Sequence, residues 1–376
     1  MSPEVNQIGK EEKKGVIVYT NKHQIHRASV VSRENPERLE SGFKYIKNRT
    51  DILDHFDMDQ EFEPATREDL ERVHEKSYID FMEKYCENGG GFLGDSTYVQ
   101  KGSCRAAKYS SGGAIELCDQ VKKNYDYGFA LIRPPGHHAT LDNYGGYCLY
   151  NNSAVAARWL QEKRRINKVM IVDWDGHAAN GTMRIFYDDP TVLTISVHRD
   201  PNGFYPHDGF LHQIGKREGR GYCVNVCLPA GSGDPEFKKV CESLVFPLAN
   251  EFNPDFVIGC NGFDSHHSDP VVGLRFTSRS YHYIAKKLSM KYNGRSALLM
   301  EGGYEKFNGK LLHTLLSGLS LFDNPYEELE DNLSHSILQK GSICKETDEM
   351  LKELKNLLRD SPLGGFIEYE NGEEEV

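Results

Sequence analysis

Residues 168–182 read KVMIVDWDGHAANGT, and the fold turns on how that stretch is taken. Val169 to Val172 is a short apolar run of the kind that forms a buried strand. It gives way to Asp173, Asp175 and His177, and then to a turn at Asn180-Gly181. Side chains alternate along an extended chain, so the three polar groups project the same way. Two carboxylates and an imidazole at the end of a buried strand are costly to desolvate unless a cation compensates them, which points to a metal ion. The plainer alternative is a strand end whose polar residues cap the next helix. Local spacing does not separate the two.

Working outward, similar short apolar runs occur at 15–20, 127–132, 191–197, 222–228, 255–260 and 296–300. Such runs suit strands buried on both faces. Helical patterns lie between them, at Pro36–Arg49, Ser77–Cys86, Ser103–Lys123, Asn152–Lys163, Pro235–Asn250, Ser278–Tyr292, Lys310–Leu321 and Thr347–Arg359. Alternation of this kind predicts an α/β fold, a single three-layer α/β/α domain around a mainly parallel central sheet. No repeat or low-complexity linker interrupts it. The expected boundaries are a flexible N-terminal tail at 1–14, one domain at 15–360 and an acidic C-terminal tail at 361–376.

In such a sheet, ligands sit beyond the carboxyl ends of the strands. The unusual residues fall there. The run 127–132 is followed by Arg133-Pro-Pro-Gly-His137-His138, and 191–197 by His198 and Phe204-Tyr205-Pro206. The run 255–260 leads to Gly262-Phe263-Asp264, and 296–300 to Glu301-Gly302-Gly303-Tyr304. Capping alone does not explain polar or aromatic residues at so many strand ends. Asp175, His177 and Asp264 form a two-carboxylate, one-imidazole set suited to zinc or ferrous iron, with positions left for water and substrate. His137-His138 supplies one ring to take a proton from water and another to stabilise charge. Tyr304 offers a hydroxyl to a developing oxyanion.

The chain has 376 residues, 38% of them hydrophobic, enough for a sizeable core. No apolar run approaches the roughly 20 residues that span a bilayer, and MSPEVNQIGKEEKK has no apolar signal segment. Nine scattered cysteines without a CxxC pair argue for core thiols in a reducing, cytoplasmic setting. A net charge of −11 makes nucleic acid an unsuitable direct partner and mildly favours cationic substrates.

RPPGHHA (133–139), GGYCLYNN (145–152), VDWDGHAANGT (172–182), GFDSHHSDP (262–270) and EGGY (301–304) together resemble the histone deacetylase, acetoin-utilisation and acetylpolyamine amidohydrolase superfamily. The resemblance covers about residues 15 to 325 and is nearest to class II and bacterial or archaeal members. It implies the arginase/deacetylase fold and hydrolysis of N-acetyl amides to acetate and a free amine. By motif position it implies zinc on Asp175, His177 and Asp264, with His138 as general base and acid backed by Asn180. His137 backed by Asp173 would be the electrostatic helper, and Tyr304 would polarise the amide carbonyl. Gly146, Tyr147 and Tyr205 would wall the acyl tunnel, with Asp95 and Val271 at its rim, and Arg38 would line an internal acetate exit. A structural potassium ion is implied on Asp173, Asp175, Ser196 and the carbonyls of His177 and Val197. A second is implied on the carbonyls of Phe186, Asp189, Val192 and Tyr222.

Three positions depart from the family pattern: Gly176 stands for a larger residue, and Ala178-Ala179 for a histidine and a glycine. Tyrosines also replace the usual tunnel phenylalanines at 147 and 205. Altered packing and substrate preference are expected rather than lost chemistry. Acetyl-lysine in a peptide or protein and a small acetylated amine such as an acetylpolyamine both remain open as substrates, as does the oligomeric state. A binuclear manganese hydrolase of the arginase type would need further carboxylates on the turn after His177, which reads Ala-Ala-Asn. A metal-pocket binding protein without turnover is the remaining alternative.

Overall fold

The computed structural model of the chain describes residues 14–28, 32–304, 308–326 and 337–370. Eight strands form the main sheet: β1 (Gly15–Tyr19), β2 (Phe56–Asp59), β5 (Tyr127–Leu131), β6 (Val169–Asp173), β7 (Val192–Arg199), β8 (Cys223–Leu228), β9 (Phe256–Asn261) and β10 (Ser296–Met300). Their order is β2-β1-β5-β10-β9-β6-β7-β8, and every pairing is parallel. A separate antiparallel hairpin joins β3 (Gly90–Gly94) to β4 (Thr97–Gln100).

Alternation along the strands divides the core in two. Ile17, Phe129, Val172 and Leu298 face one helical layer, whereas Val18, Ala130, Ile171 and Leu299 face the other. The first layer includes Ser278–Lys291 and Asn308–Leu319, the second Lys76–Glu87, Ser103–Lys123 and Asn152–Arg164. This is the three-layer α/β/α arrangement expected, in one domain. Strand β6 lies inside the sheet between β9 and β7, and its register sets Asp173 beside Ser196 on one side and Cys260 on the other.

Some elements differ from the expectation. The helix expected over Pro235–Asn250 is Asp234–Val240, a wide π turn at Cys241–Val245, and Phe246–Phe252. Pro247 has no N–H to donate and its ring would crowd the preceding turn, so an unbroken α-helix is disfavoured there. Strand β2 has no long apolar run because it is an edge strand, paired only with β1. The boundary expected at residue 360 falls short, since Leu363 and Ile367 are buried in the core and the helix Gly365–Glu370 follows. Residues 371–376 of the expected acidic tail lie outside the described residues. So do residues 1–13 of the expected N-terminal tail, while Lys14 pairs with Asp57. All nine cysteines are free. Among the described residues no helix is long and apolar enough to cross a membrane.

Candidate active site

The stretch after β6 and the short turn Phe263–Ser265 after β9 bring Asp175, His177 and Asp264 together, with ligand atoms within 4.8 Å of one another. Backbone amides aim the carboxylates. Asp175 Oδ1 accepts from His177 N at 2.9 Å and Asp175 Oδ2 from Gly302 N at 2.8 Å. Asp264 Oδ1 accepts from Gly176 N at 2.8 Å. The two turns are tied by Ser265 Oγ donating to Trp174 O (3.0 Å) and by Trp174 Nε1 donating to Asn261 Oδ1 (2.7 Å). A Cβ on Gly302 would lie 2.5 Å from both Asp175 Oδ2 and Asp264 Oδ2, so only glycine can floor this cradle.

His177 Nδ1 stands 3.2 Å from Asp175 Oδ1 and 3.0 Å from Asp264 Oδ2. Burial, then the Asp175 carboxylate, push Asp264 up to about 6. Burial lowers His177, but its bonds to Asp175 and Asp264 outweigh that and hold the imidazole at about 10. The cluster therefore draws a positive charge into its centre. A small divalent cation meets that demand, and a donor set of two carboxylates and one imidazole suits zinc or ferrous iron.

The loop after β5 presents His137 and His138, both buried, with ring centroids 4.0 Å apart. His137 Nδ1 is 3.1 Å from Asp173 Oδ2, and its Nε2 is 3.9 Å from Asp175 Oδ1. Burial opposes its charge, yet Asp175 and Asp173 raise it to about 10. His138 behaves oppositely: burial, then the His137 and His177 rings, hold it well below the usual histidine range. Its Nδ1 pairs with Asn180 Oδ1 at 2.7 Å. With that oxygen as acceptor the ring proton sits on Nδ1, leaving Nε2 free to accept another. Gly146 (φ +48°) packs on this ring, where a Cβ would lie 2.3 Å from His138 Cδ2.

Tyr304 ends the turn after β10 and is half-buried, its ring under the Arg38 guanidinium at 4.5 Å. Arg38 also donates to Gly303 O and Glu301 O at 2.7 Å each, which fixes the turn. Burial raises the Tyr304 hydroxyl well above the usual tyrosine range, so it stays protonated. A tunnel of about 210 Å³ leads to His138, His177 and Tyr304 past Tyr147, Tyr205 and Val271. Asp95 stands near its mouth at the tip of the β3–β4 hairpin, accepting from the Tyr205 hydroxyl at 2.7 Å.

The residues expected at the first potassium site also gather here. Asp173 Oδ1 accepts from Asp175 N (2.9 Å), while Ser196 Oγ accepts from Ala179 N (3.1 Å) and meets His198 Nδ1 at 2.8 Å. Around the second, Phe186 O accepts from Asp189 N (3.1 Å) and from Cys223 Sγ (3.7 Å), while Tyr222 O accepts from Thr194 N (2.9 Å) and keeps a lone pair. His266 and His267 lie outside the tunnel, their rings 4.2 Å apart and His266 Nδ1 on Ser268 Oγ.

The departures from the family pattern are matched locally. A Cβ on Gly176 would lie 2.5 Å from Val272 Cγ1, so Val272 occupies the room of a larger residue. Ala178 is buried against Gly209, whose own Cβ would come within 2.6 Å of the alanine Cβ. Two further site residues carried no role from the sequence alone. Phe204 stacks on His177 at 5.1 Å. Glu301, wholly buried, accepts from Gly136 N (2.7 Å) and His137 N (3.2 Å), and so clamps the histidine loop to the Tyr304 turn. A charge directly after the apolar run 296–300 was the only signal for it.

A Histone deacetylase domain model matches residues 32–316. A probable deacetylase of Archaeoglobus fulgidus is 33% identical over 361 residues, covering 92% of this chain and 95% of that protein. Histone deacetylase 10, chloroplastic, of Oryza sativa subsp. japonica is 35% identical over 296 residues. That match covers 72% of this chain but only 66% of the longer rice protein. The crystal structure of the HDA15 HD domain superposes with a TM-score of 0.84 at 27% identity, covering 97% of this chain and 99% of that one.

Proposed function

Because the chain belongs to the histone deacetylase family of hydrolytic deacetylases, we propose that it hydrolyses N-acetyl amides with one zinc ion held by Asp175, His177 and Asp264. The observation that carries this reading is a narrow tunnel that ends on His177, one member of that clustered donor set, with His138, His137 and Tyr304 lining the same tunnel. Bound there, zinc (or ferrous iron, which accepts the same donors) would supply Lewis acidity towards water and the acyl carbonyl.

The side chains account for the remaining chemistry. His138 Nε2 takes the proton of the attacking water, with Asn180 holding the ring in the required tautomer. His137, charged between Asp173 and Asp175, stabilises the negative charge gathering on the acyl oxygen, and the Tyr304 hydroxyl donates to that oxygen. As the C–N bond breaks, His138 returns its proton to the departing amine, leaving acetate. Tyr147 and Tyr205 flank the alkyl chain, while Gly146 lets the substrate approach His138. A structural potassium ion on Asp173, Asp175 and Ser196 would balance the carboxylates beneath, with a second on the carbonyls of Phe186, Asp189, Val192 and Tyr222. Free cysteines suit a reducing compartment such as the cytoplasm.

Of the two rim residues, Asp95 can serve a peptide amide or an ammonium alike, so it is the apolar Val271 that leans the balance to acetyl-lysine in a peptide over an acetylpolyamine. Val271, 40% exposed at the mouth, offers no carboxylate to a distant ammonium. A fluorogenic acetyl-lysine peptide tests the reaction. His138→Ala should lower kcat by about 10²–10⁴-fold and Tyr304→Phe by about 10²–10³-fold, with zinc content retained. Activity that survives both substitutions overturns the mechanism. Faster cleavage of acetylspermidine than of the peptide overturns the substrate preference alone.

A further inference from the structure

In the deacetylase reading, on which the role inferred for Tyr205 rests, the ring of that residue needs no hydroxyl. It walls the tunnel edge-on to His138 (5.0 Å) and His177 (6.0 Å), a task a phenylalanine ring performs equally well. The hydroxyl instead reaches the hairpin and donates to Asp95 Oδ2 at 2.7 Å.

The surroundings of that bond are built for it. Asp95 and Ser96 occupy the two-residue tip between β3 and β4 with φ of 49° and 57°, the left-handed pair that closes a tight hairpin. The same tip is fastened to the tunnel wall twice more, by Gly146 N donating to Asp95 O (3.1 Å) and by Tyr147 N donating to Thr97 Oγ1 (3.2 Å). A Cβ on Gly145 would lie 2.6 Å from Asp95 Oδ2 and 3.3 Å from the Tyr205 hydroxyl, so the pair closes over a position that excludes a side chain.

Asp95 is exposed and, among the described residues, has no basic partner. Arg33 lines the tunnel without forming an ion pair to it. Arg184 and Lys216, in the groove beside the mouth, belong to Asp208 and Asp188. That groove, about 760 Å³, is lined by Asp95 and shares Tyr205 and His138 with the tunnel. With Oδ2 held by the tyrosine, Oδ1 remains as an acceptor on a residue that lines the groove beside the tunnel.

We propose that Tyr205 is a specificity-determining positioning residue, whose hydroxyl fixes the Asp95 carboxylate so that its free oxygen binds an N–H donor on the substrate beyond the scissile amide. A peptide backbone amide and the distal ammonium of a small diamine both offer that chemistry. A simple N-acetylalkylamine offers none.

The test compares kcat/KM on an acetyl-lysine peptide, N-acetylputrescine and N-acetylhexylamine. The ratio of either donor-bearing substrate to N-acetylhexylamine is the readout, since general damage to the tunnel cancels from it. In Tyr205→Phe that ratio should fall about tenfold, the scale of one hydrogen bond to a charged group. Asp95→Ala should lower it at least as far, and the double variant no further than Asp95→Ala alone. Loss confined to the peptide identifies the backbone amide as the ligand, and loss confined to N-acetylputrescine identifies the ammonium. An unchanged ratio in Tyr205→Phe, or two effects that multiply, overturns the assignment to Tyr205. If the wild-type chain cleaves none of the three, the deacetylase reading itself fails and this inference falls with it.

Discussion

His137 and His138 form the floor of the tunnel, with Asp175 and Asp264 clustered beside His177 there, on segments that leave the central strands and each no more than 5% exposed. Asp95, Tyr147, Tyr205 and Val271 form its mouth from loops and a hairpin, and Asp95 and Tyr147 adopt positive φ. The floor is aimed by backbone amides whose places follow from sheet register. The mouth is held by side-chain tethers such as Tyr205 to Asp95. On the proposed reading, chemistry resides where the backbone is most constrained, while selectivity resides where side chains decide the shape.

Substitutions should separate the two regions by size of effect. Asp264→Ala removes a donor and should lower kcat/KM by at least about 10³-fold, since the Lewis-acid contribution is worth several kcal/mol. Metal content, measured alongside, should fall with it. A full-strength enzyme would show that the floor is not the site of chemistry.

Stability offers the next largest effect. Buried Glu34 takes both 2.7 Å bonds from Arg133 and a 3.2 Å bond from Arg38. Glu34→Leu strands these cations and should cost about 3–5 kcal/mol, read as a lower denaturant midpoint. Burial raises the Glu34 carboxyl, but Arg133 and His26 outweigh it and hold the group well below the usual range. A depressed acid stabilises the fold above its unfolded pKa, about 4.3, and loses that contribution as pH falls from there towards the folded value. Wild-type stability should therefore drop from about pH 5 downwards more steeply than that of Glu34→Gln. Equal slopes would dismiss Glu34 as the titrating group.

Smaller effects probe the supports. Glu301→Leu leaves the Gly136 and His137 amides without their acceptor and should lower kcat about tenfold, with Glu301→Gln restoring most of it. A glutamine variant as slow as the leucine would assign Glu301 a role other than accepting those bonds. At the rim, Val271→Ala should change kcat/KM by no more than about twofold, as expected of a surface substitution. A larger loss would add Val271 to the residues that recognise substrate at the mouth.

The floor was legible in the sequence for the same reason that it is rigid. Polar residues directly after apolar runs betray their position at a sheet edge, and the long apolar alternation of Ser103–Lys123 gave that helix its observed bounds. The mouth was less legible. Nothing in GGGFLGDSTYVQ, with its glycines, marks a hairpin whose tip lies against Tyr205. Nor does sequence spacing reveal that Val272 fills the room left by Gly176, or that Glu301 serves amides on another loop, because those partners are distant in the chain.

The most direct test of the central claim is to strip the protein with a chelator and titrate zinc back while following acetate release from an acetyl-lysine peptide. One divalent ion on Asp175, His177 and Asp264 predicts loss of activity on stripping and a linear return that saturates at one zinc per chain. Activity that survives complete stripping, or that recovers only at two ions per chain, would contradict it.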